Sequence, residues 1–329
     1  MPRQPATFYR YRGFSTNTLD SLCHDRLYFA HPGTFNDPLD CSPTLERDSP
    51  LDELRNLLSV LVRRRVRSEV LASLSQARVK GEGATAHAEK RAISEARSEL
   101  ANIAYNATDP EYTVSETEAE GWLLTTQIES ELRRHYERGV CCFSTTYASP
   151  LLWSHYGDQH RGLCVGYGLD RRPKPEMHGV AYGGGRSVRT SLLIQALVHE
   201  DPNANQELDR DVLLRKARGW SYEKEYRLLG VQGDQESPLL LKEATFGLRC
   251  PMSVVHTVVK ALAGRETEVR YFQMYEVRGR FVLRRSEVDL TELGMYMPKT
   301  AQSGEEVFGV HDDTQTGADV SGPHPSSGR

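Results

Sequence analysis

Two glutamates, Glu223 and Glu225, stand two positions apart in a stretch where polar and aromatic residues alternate, and Arg227 follows at the same interval. On a β-strand, residues i and i+2 share a face. This spacing would set both carboxylates and the guanidinium side by side, with Tyr222, Lys224 and Tyr226 opposite. Neighbouring carboxylates raise each other's pKa unless a cation intervenes, and Arg227 could be that cation. Such a pair can hold a sugar hydroxyl and stabilise a cationic transition state. It can equally be an exposed strand with cross-strand salt bridges. Arg10 and Arg12 repeat the spacing near the N-terminus, with Tyr9 and Tyr11 on the alternate face. Paired guanidiniums on a rigid strand suit a pyrophosphate or a carboxylate, or else form a solvated face.

A second group gathers hydroxyls and aromatics. Ser144, Thr145 and Thr146 close a stretch of strand character. Hydroxyls donate and accept, so at a strand end they can orient a ligand's amide or ribose; they are also ordinary helix N-caps. Trp153 and Tyr156 share a helix face with His160, an aromatic platform for a base or a core cluster with one hydrogen-bonded histidine. His155 and His160 are five apart, wrong for one helix face, and there is no HExxH, so no metal site is expected from them. Asn36 and Asp37 can form side-chain turns in their loop. Asp37, Asp40 and Glu223 would hold magnesium if the fold brought them together. Walker, dinucleotide-fingerprint and GxSxG motifs are absent.

These residues need a scaffold. Residues 7–14 and 26–30 read as strands and 31–40 as a loop punctuated by Pro and Gly. Residues 139–146, 162–167 and 220–229 read as further strands, 205–219 as a charged helix closed by Gly219, and 252–263 as a helix among later strands. Between 45 and 138, Leu51, Leu54, Leu57, Leu58 and Leu61 have helical periodicity, and Arg63, Arg64, Arg65 and Arg67 form a basic cluster. Three or four helices are expected there. The expected fold is α+β: a mixed, mainly antiparallel core sheet, whole or split, with packed helices and a helical insertion. Residues 1–44 and 139–296 would make the core, 45–138 the insertion, and 297–329 a disordered tail.

The 329 residues allow roughly two domains, or one with insertions. A formal net charge of −4 is too balanced to point to nucleic acid as the main partner. Six cysteines without a CxxC pair argue against a disulfide scaffold or a zinc ribbon. No run approaches the ~20 apolar residues of a membrane span, so no membrane partner is expected and the cytoplasm is the natural location.

Taken in order, Arg10-Tyr11-Arg12, the loop from Phe35 to Asp40, Cys142 to Ser144, Leu152 to Tyr156, His160 to Cys164 and Trp220 to Arg227 resemble a bacterial family, domain of unknown function 2971. The likeness runs from about residue 8 to about 290, outside the insertion and tail, and the family name carries no activity. The order of strand arginine, Ser-Thr-Thr and Glu-x-Glu is also similar to the Arg–Ser–Glu pattern of ADP-ribosyltransferases. That resemblance implies NAD as substrate and no metal. Arg10 or Arg12 would grip the dinucleotide, Ser144 would brace the nicotinamide pocket, Glu225 would be catalytic, and Glu223 would prepare the acceptor. Thr145, Tyr28, Asn36, Asp37, Trp153, His155, Tyr156 and Arg227 would complete the nucleotide site. Thr146 stands where serine is usual, and the loop of residues 35–40 has no counterpart in that pattern. The implied function is an NAD-dependent ADP-ribosyltransferase-like enzyme, a toxin or phage-defence effector, with a protein or nucleic-acid acceptor. Two alternatives stay open: a non-catalytic binding module with a buried polar network, and a metal-dependent nucleic-acid enzyme.

Overall fold

Strand β1 (Thr7–Arg12) carries the alternation read above and lies inside the main sheet of the computed structural model. The structure describes residues 5–309 apart from His135 and Glu137. In chain order the sheet continues with β2 (Arg138–Ser144), β3 (Leu163–Gly168), β4 (His178–Gly179), β5 (Glu225–Val231), β6 (Leu240–Phe246), β7 (Arg270–Glu276) and β8 (Leu283–Glu287). The spatial order is β8-β7-β6-β3-β1-β2-β5-β4, antiparallel except between β6 and β7. Three two-stranded pairs stand apart: Arg26–Phe29 with Gly233–Glu236, Thr44–Glu46 with Ser187–Arg189, and Ala181–Tyr182 with Arg215–Lys216. The fold is α+β.

Helix α1 (Thr16–Cys23) follows β1, capped by Ser15, whose Oγ accepts from the Thr18 N–H at 3.1 Å. Three helices occupy the segment read as an insertion: α2 (Leu51–Gln76), α3 (Glu82–Asn106) and α4 (Glu116–Arg134). Leu54, Leu57, Leu58 and Val62 of α2 share a core with Leu124 and Ile128 of α4 and with Val140 of β2. These helices belong to the same compact unit as the sheet, which ends at Val288. Helices α5 (Pro150–His155), α6 (Pro202–Leu213) and α7 (Met252–Leu262) complete it. The second unit, from Asp289, holds helices Leu290–Tyr296 and Gly304–Phe308, the latter opened by a capping box of Ser303 and Glu306. That short helix falls in the stretch expected to be a disordered tail; residues 310–329 of the tail lie outside the described residues. Among the described residues no helix is long and apolar enough to cross a membrane.

Cross-strand partners share a face, so the register sorts the chemistry. Tyr9 pairs with Ser144 and Gly166, Ser144 with Glu225, and Gly166 with Glu243. One face therefore carries Glu225, Ser144, Tyr9 and Glu243 in a row across five strands. Gly166 keeps that row open: a Cβ there would sit 2.5 Å from Glu243 Cγ. Arg10 and Arg12 project from the opposite face, where Arg10 Nη1 donates to Cys141 Sγ at 2.8 Å.

Two expectations are corrected before β5. Residues 220–229 are not one strand: Arg218–Glu223 is a 3-10 helix, Lys224 takes φ 47°, and the strand begins at Glu225. Tertiary contacts hold that turn, since Trp220 bonds Asp37 and Tyr222 packs on the aromatic core. The helix expected over 205–219 ends at Leu213, because Arg215 and Lys216 pair with Ala181 and Tyr182 instead.

Candidate functional site

Arg227 is completely buried. A buried guanidinium needs its donors and its charge answered. Nε donates to Glu225 Oε1 at 2.8 Å, Nη2 to Asp40 Oδ2 at 2.7 Å and Nη1 to the Leu213 carbonyl at 2.7 Å. Asp40 comes from the loop of residues 35–40 and Leu213 from the end of α6. Lys216 then gathers the carboxylates: its Nζ lies 2.8 Å from Glu225 Oε2, 2.5 Å from Glu223 Oε2 and 3.4 Å from Asp40 Oδ2. Glu223 Oε1 accepts from the Tyr156 hydroxyl at 2.9 Å, and Asn36 Nδ2 reaches that hydroxyl at 3.4 Å. Ser144 Oγ donates to the Glu223 carbonyl at 2.6 Å, so it ties down the turn.

Two cations thus face three carboxylates. Burial pushes the Glu225 pKa up, but Arg227 and Lys216 outweigh it and bring it down to about 2. Glu223 goes the other way: burial raises it, Lys216 offsets this in part, and the charge of Glu225 adds to the rise. Burial would lower the pKa of Lys216, but Glu225 and Glu223 outweigh it and keep the ammonium protonated. The two glutamates therefore differ in kind. Glu225 is a fixed anion inside an ion cluster; Glu223 is the carboxyl whose proton is exchangeable.

A cavity of about 290 Å³ opens against this cluster. Tyr9, Tyr11, Phe35 and Tyr156 supply aromatic walls, and Glu223, Glu225, Asp40 and Lys216 a polar end. Of the expected site residues, Ser144, Glu223, Glu225, Asn36 and Tyr156 line it. Arg10 borders it from β1, but its guanidinium bonds Cys141 and the Tyr28 carbonyl on the far face.

The others lie elsewhere. Arg12 shares the far face with Arg10. Tyr28 is exposed on the Arg26–Phe29 strand. The Thr145 N–H donates to the Lys224 carbonyl at 3.3 Å. Asp37 Oδ2 accepts from the Trp220 indole at 2.6 Å. Trp153 is buried and donates to the Tyr147 carbonyl at 2.8 Å, which makes it core and not platform. His155 packs edge-on against Trp220. Arg227 sits behind Glu225. Guanidinium, hydroxyl and acid of the transferase pattern do not meet in one hollow, because a strand sends alternate residues to opposite faces and Tyr9, not Arg10, is opposite Ser144. Asp37, Asp40 and Glu223, weighed as magnesium ligands, are engaged by Trp220, Arg227 and Lys216. Among the described residues no group of three or more His, Cys, Asp or Glu is placed to hold a metal ion.

Across β1 the same face carries a second ion centre. Glu243 is buried and accepts from Arg285 Nη1 at 2.7 Å and Arg270 Nη2 at 3.0 Å. The Arg285 guanidinium lies 3.9 Å from the ring centre of Tyr147 and 4.0 Å from that of Phe272. Burial, and then the charge of Glu243, raise the pKa of the Tyr9 hydroxyl between the two centres.

No family model matches the chain, and no curated protein or solved structure matches it.

Proposed function

We propose that the aromatic cavity is the donor site of an enzyme that breaks an N-glycosidic bond. This is the ADP-ribosyltransferase-like activity, with NAD as donor and Glu223 in place of Glu225 as the catalytic carboxyl. Glu223 itself is the main support: a carboxyl of raised pKa, oriented by Tyr156 and Lys216, at the wall of an aromatic hollow. When the bond from ribose C1′ to the nicotinamide nitrogen breaks, its electron pair goes to nitrogen. Nicotinamide leaves neutral, and the positive charge stays on the ribose as an oxocarbenium-like centre. A Glu223 carboxylate on the ribose hydroxyls stabilises that charge, more strongly away from bulk water. Water or an acceptor then attacks C1′ and loses a proton. A volume of about 290 Å³ is at the lower end for ligand pockets, so the cavity takes the nicotinamide riboside end and the rest of the dinucleotide extends outward. Arg10 and Arg12 have no part in this reading.

Incubation with labelled NAD and lysate tests it. The expected result is nicotinamide release that falls at least ~100-fold in Glu223→Gln. The working form is the carboxylate, so the rate climbs with pH through the raised Glu223 pKa. Wild-type protein that neither releases nicotinamide nor transfers label sinks the reading. Glu225 supports a second one. Both its oxygens are bonded by Arg227 and Lys216, as in a binding module whose polar network fixes the fold. A melting point raised by NAD or ADP-ribose without nicotinamide release would favour that module.

A further inference from the structure

We propose that the chain has a second ligand site, a cavity of about 650 Å³ bordered by α2, α4, α6 and the ends of β2 and β5 remote from Glu223, and that it takes a guanine-type mononucleotide. The decisive group is Glu131 of α4. Its side chain is 1% exposed, and it lines the cavity. Oε2 accepts from Arg65 Nε at 2.8 Å. Oε1 is buried and has no hydrogen-bond partner among the described residues. A buried carboxylate oxygen without a donor is costly, and at a cavity wall the missing donor is what fills the cavity.

The same cavity is lined by Arg64 and Arg65 of α2 and Arg138 of β2. Arg64 donates through Nη2 to the Leu197 carbonyl at 2.9 Å and to Glu200, and Arg138 pairs through Nε with Asp209 at 3.2 Å. A guanidinium has five N–H donors, so both keep donors for an anion. Arginine forks match phosphate oxygens. The ligand must therefore join an anionic end for the arginines to adjacent N–H donors for Glu131, in a volume suited to a mononucleotide. Among the common bases, guanine presents two such donors side by side, its N1–H and its 2-amino group. The site is separate from the first. β2 and β5 pair continuously from Ser144 with Glu225 to Arg138 with Val231, six residues or about 20 Å along the strands.

Titration calorimetry on the full chain tests this with GMP, and with IMP, AMP and inorganic phosphate as controls. GMP should bind at least tenfold more tightly than IMP, which lacks the 2-amino group, or AMP, and Glu131→Gln should erase that preference. Should Glu131→Gln fail to fold, Arg138→Ala serves in its place. Its side chain is 55% exposed, and the variant should weaken GMP severalfold while leaving the preference over AMP. Absence of GMP binding at millimolar concentration, equal affinity for GMP and AMP, or binding of inorganic phosphate as tight as that of GMP would each overturn the proposal. So would a crystal structure grown with GMP in which water alone occupies the donor position at Glu131 Oε1.

Discussion

Glu225 and Glu243 lie on one face of the sheet, on either side of β1, and each is answered by two cations. Glu225 shares Arg227 and Lys216 with Glu223 and Asp40, all of them buried. Glu243 has Arg285 and Arg270 to itself, and the Arg270 side chain is 60% exposed. The first centre has carboxylates in excess and borders a cavity; the second has cations in excess and is packed under Tyr9, Tyr147 and Phe272. Excess carboxylate leaves one member, Glu223, partly unneutralised and able to exchange a proton. Excess cation leaves none. Burial alone therefore does not separate a structural ion cluster from a chemical one; the local charge count does.

The largest expected effect comes from Arg227→Met. It strands Glu225 and Asp40 in the interior and should cost about 3–5 kcal/mol, read as a fall in the urea midpoint. Acid comes next. Glu225 titrates at about 2 in the folded chain against an ordinary 4.5. A lowered folded pKa contributes stability that is present above 4.5 and is lost as pH falls through about 2, an amount of about 3 kcal/mol. Urea unfolding at pH 6 and pH 3 should show part of that loss in the wild type and less of it in Glu225→Gln. Glu223, with its raised pKa, opposes this trend, since its proton returns at higher pH.

Arg285→Met should cost less, about 1–3 kcal/mol, because Glu243 keeps Arg270 and methionine fills the space between the rings. Arg270→Ala should cost under about 1 kcal/mol, because that arginine is screened by water. If Arg285→Met proves as damaging as Arg227→Met, the contrast between the two centres fails.

Part of this site was legible in the chain. The interval from Glu225 to Arg227 is a strand interval, and the ion pair follows it. Helical periodicity from Leu51 onward marked α2. Lys216 carried no signal. It follows a charged helix, and only pairing with Ala181–Tyr182 pulls it out of helical geometry. Asp40 could be suspected as a ligand but not as the partner of a residue 187 positions away. Arg10 and Arg12 were rightly placed on one face; which other strands share that face depends on register, and pairing partners are long-range facts. Tyr9 and Tyr11 were read as the alternate face, and it is they that meet Ser144 and Glu225.

Lys224 is the one left-handed joint between the 3-10 helix and β5. Side chains along a strand alternate, so the loss of one residue just ahead of it inverts every position that follows. Deleting Lys224 would turn Arg227 toward the side occupied by Arg10 and bring Tyr226 and Leu228 against Asp40 and Lys216. A lysine outside the ion cluster thus decides whether the cluster can assemble.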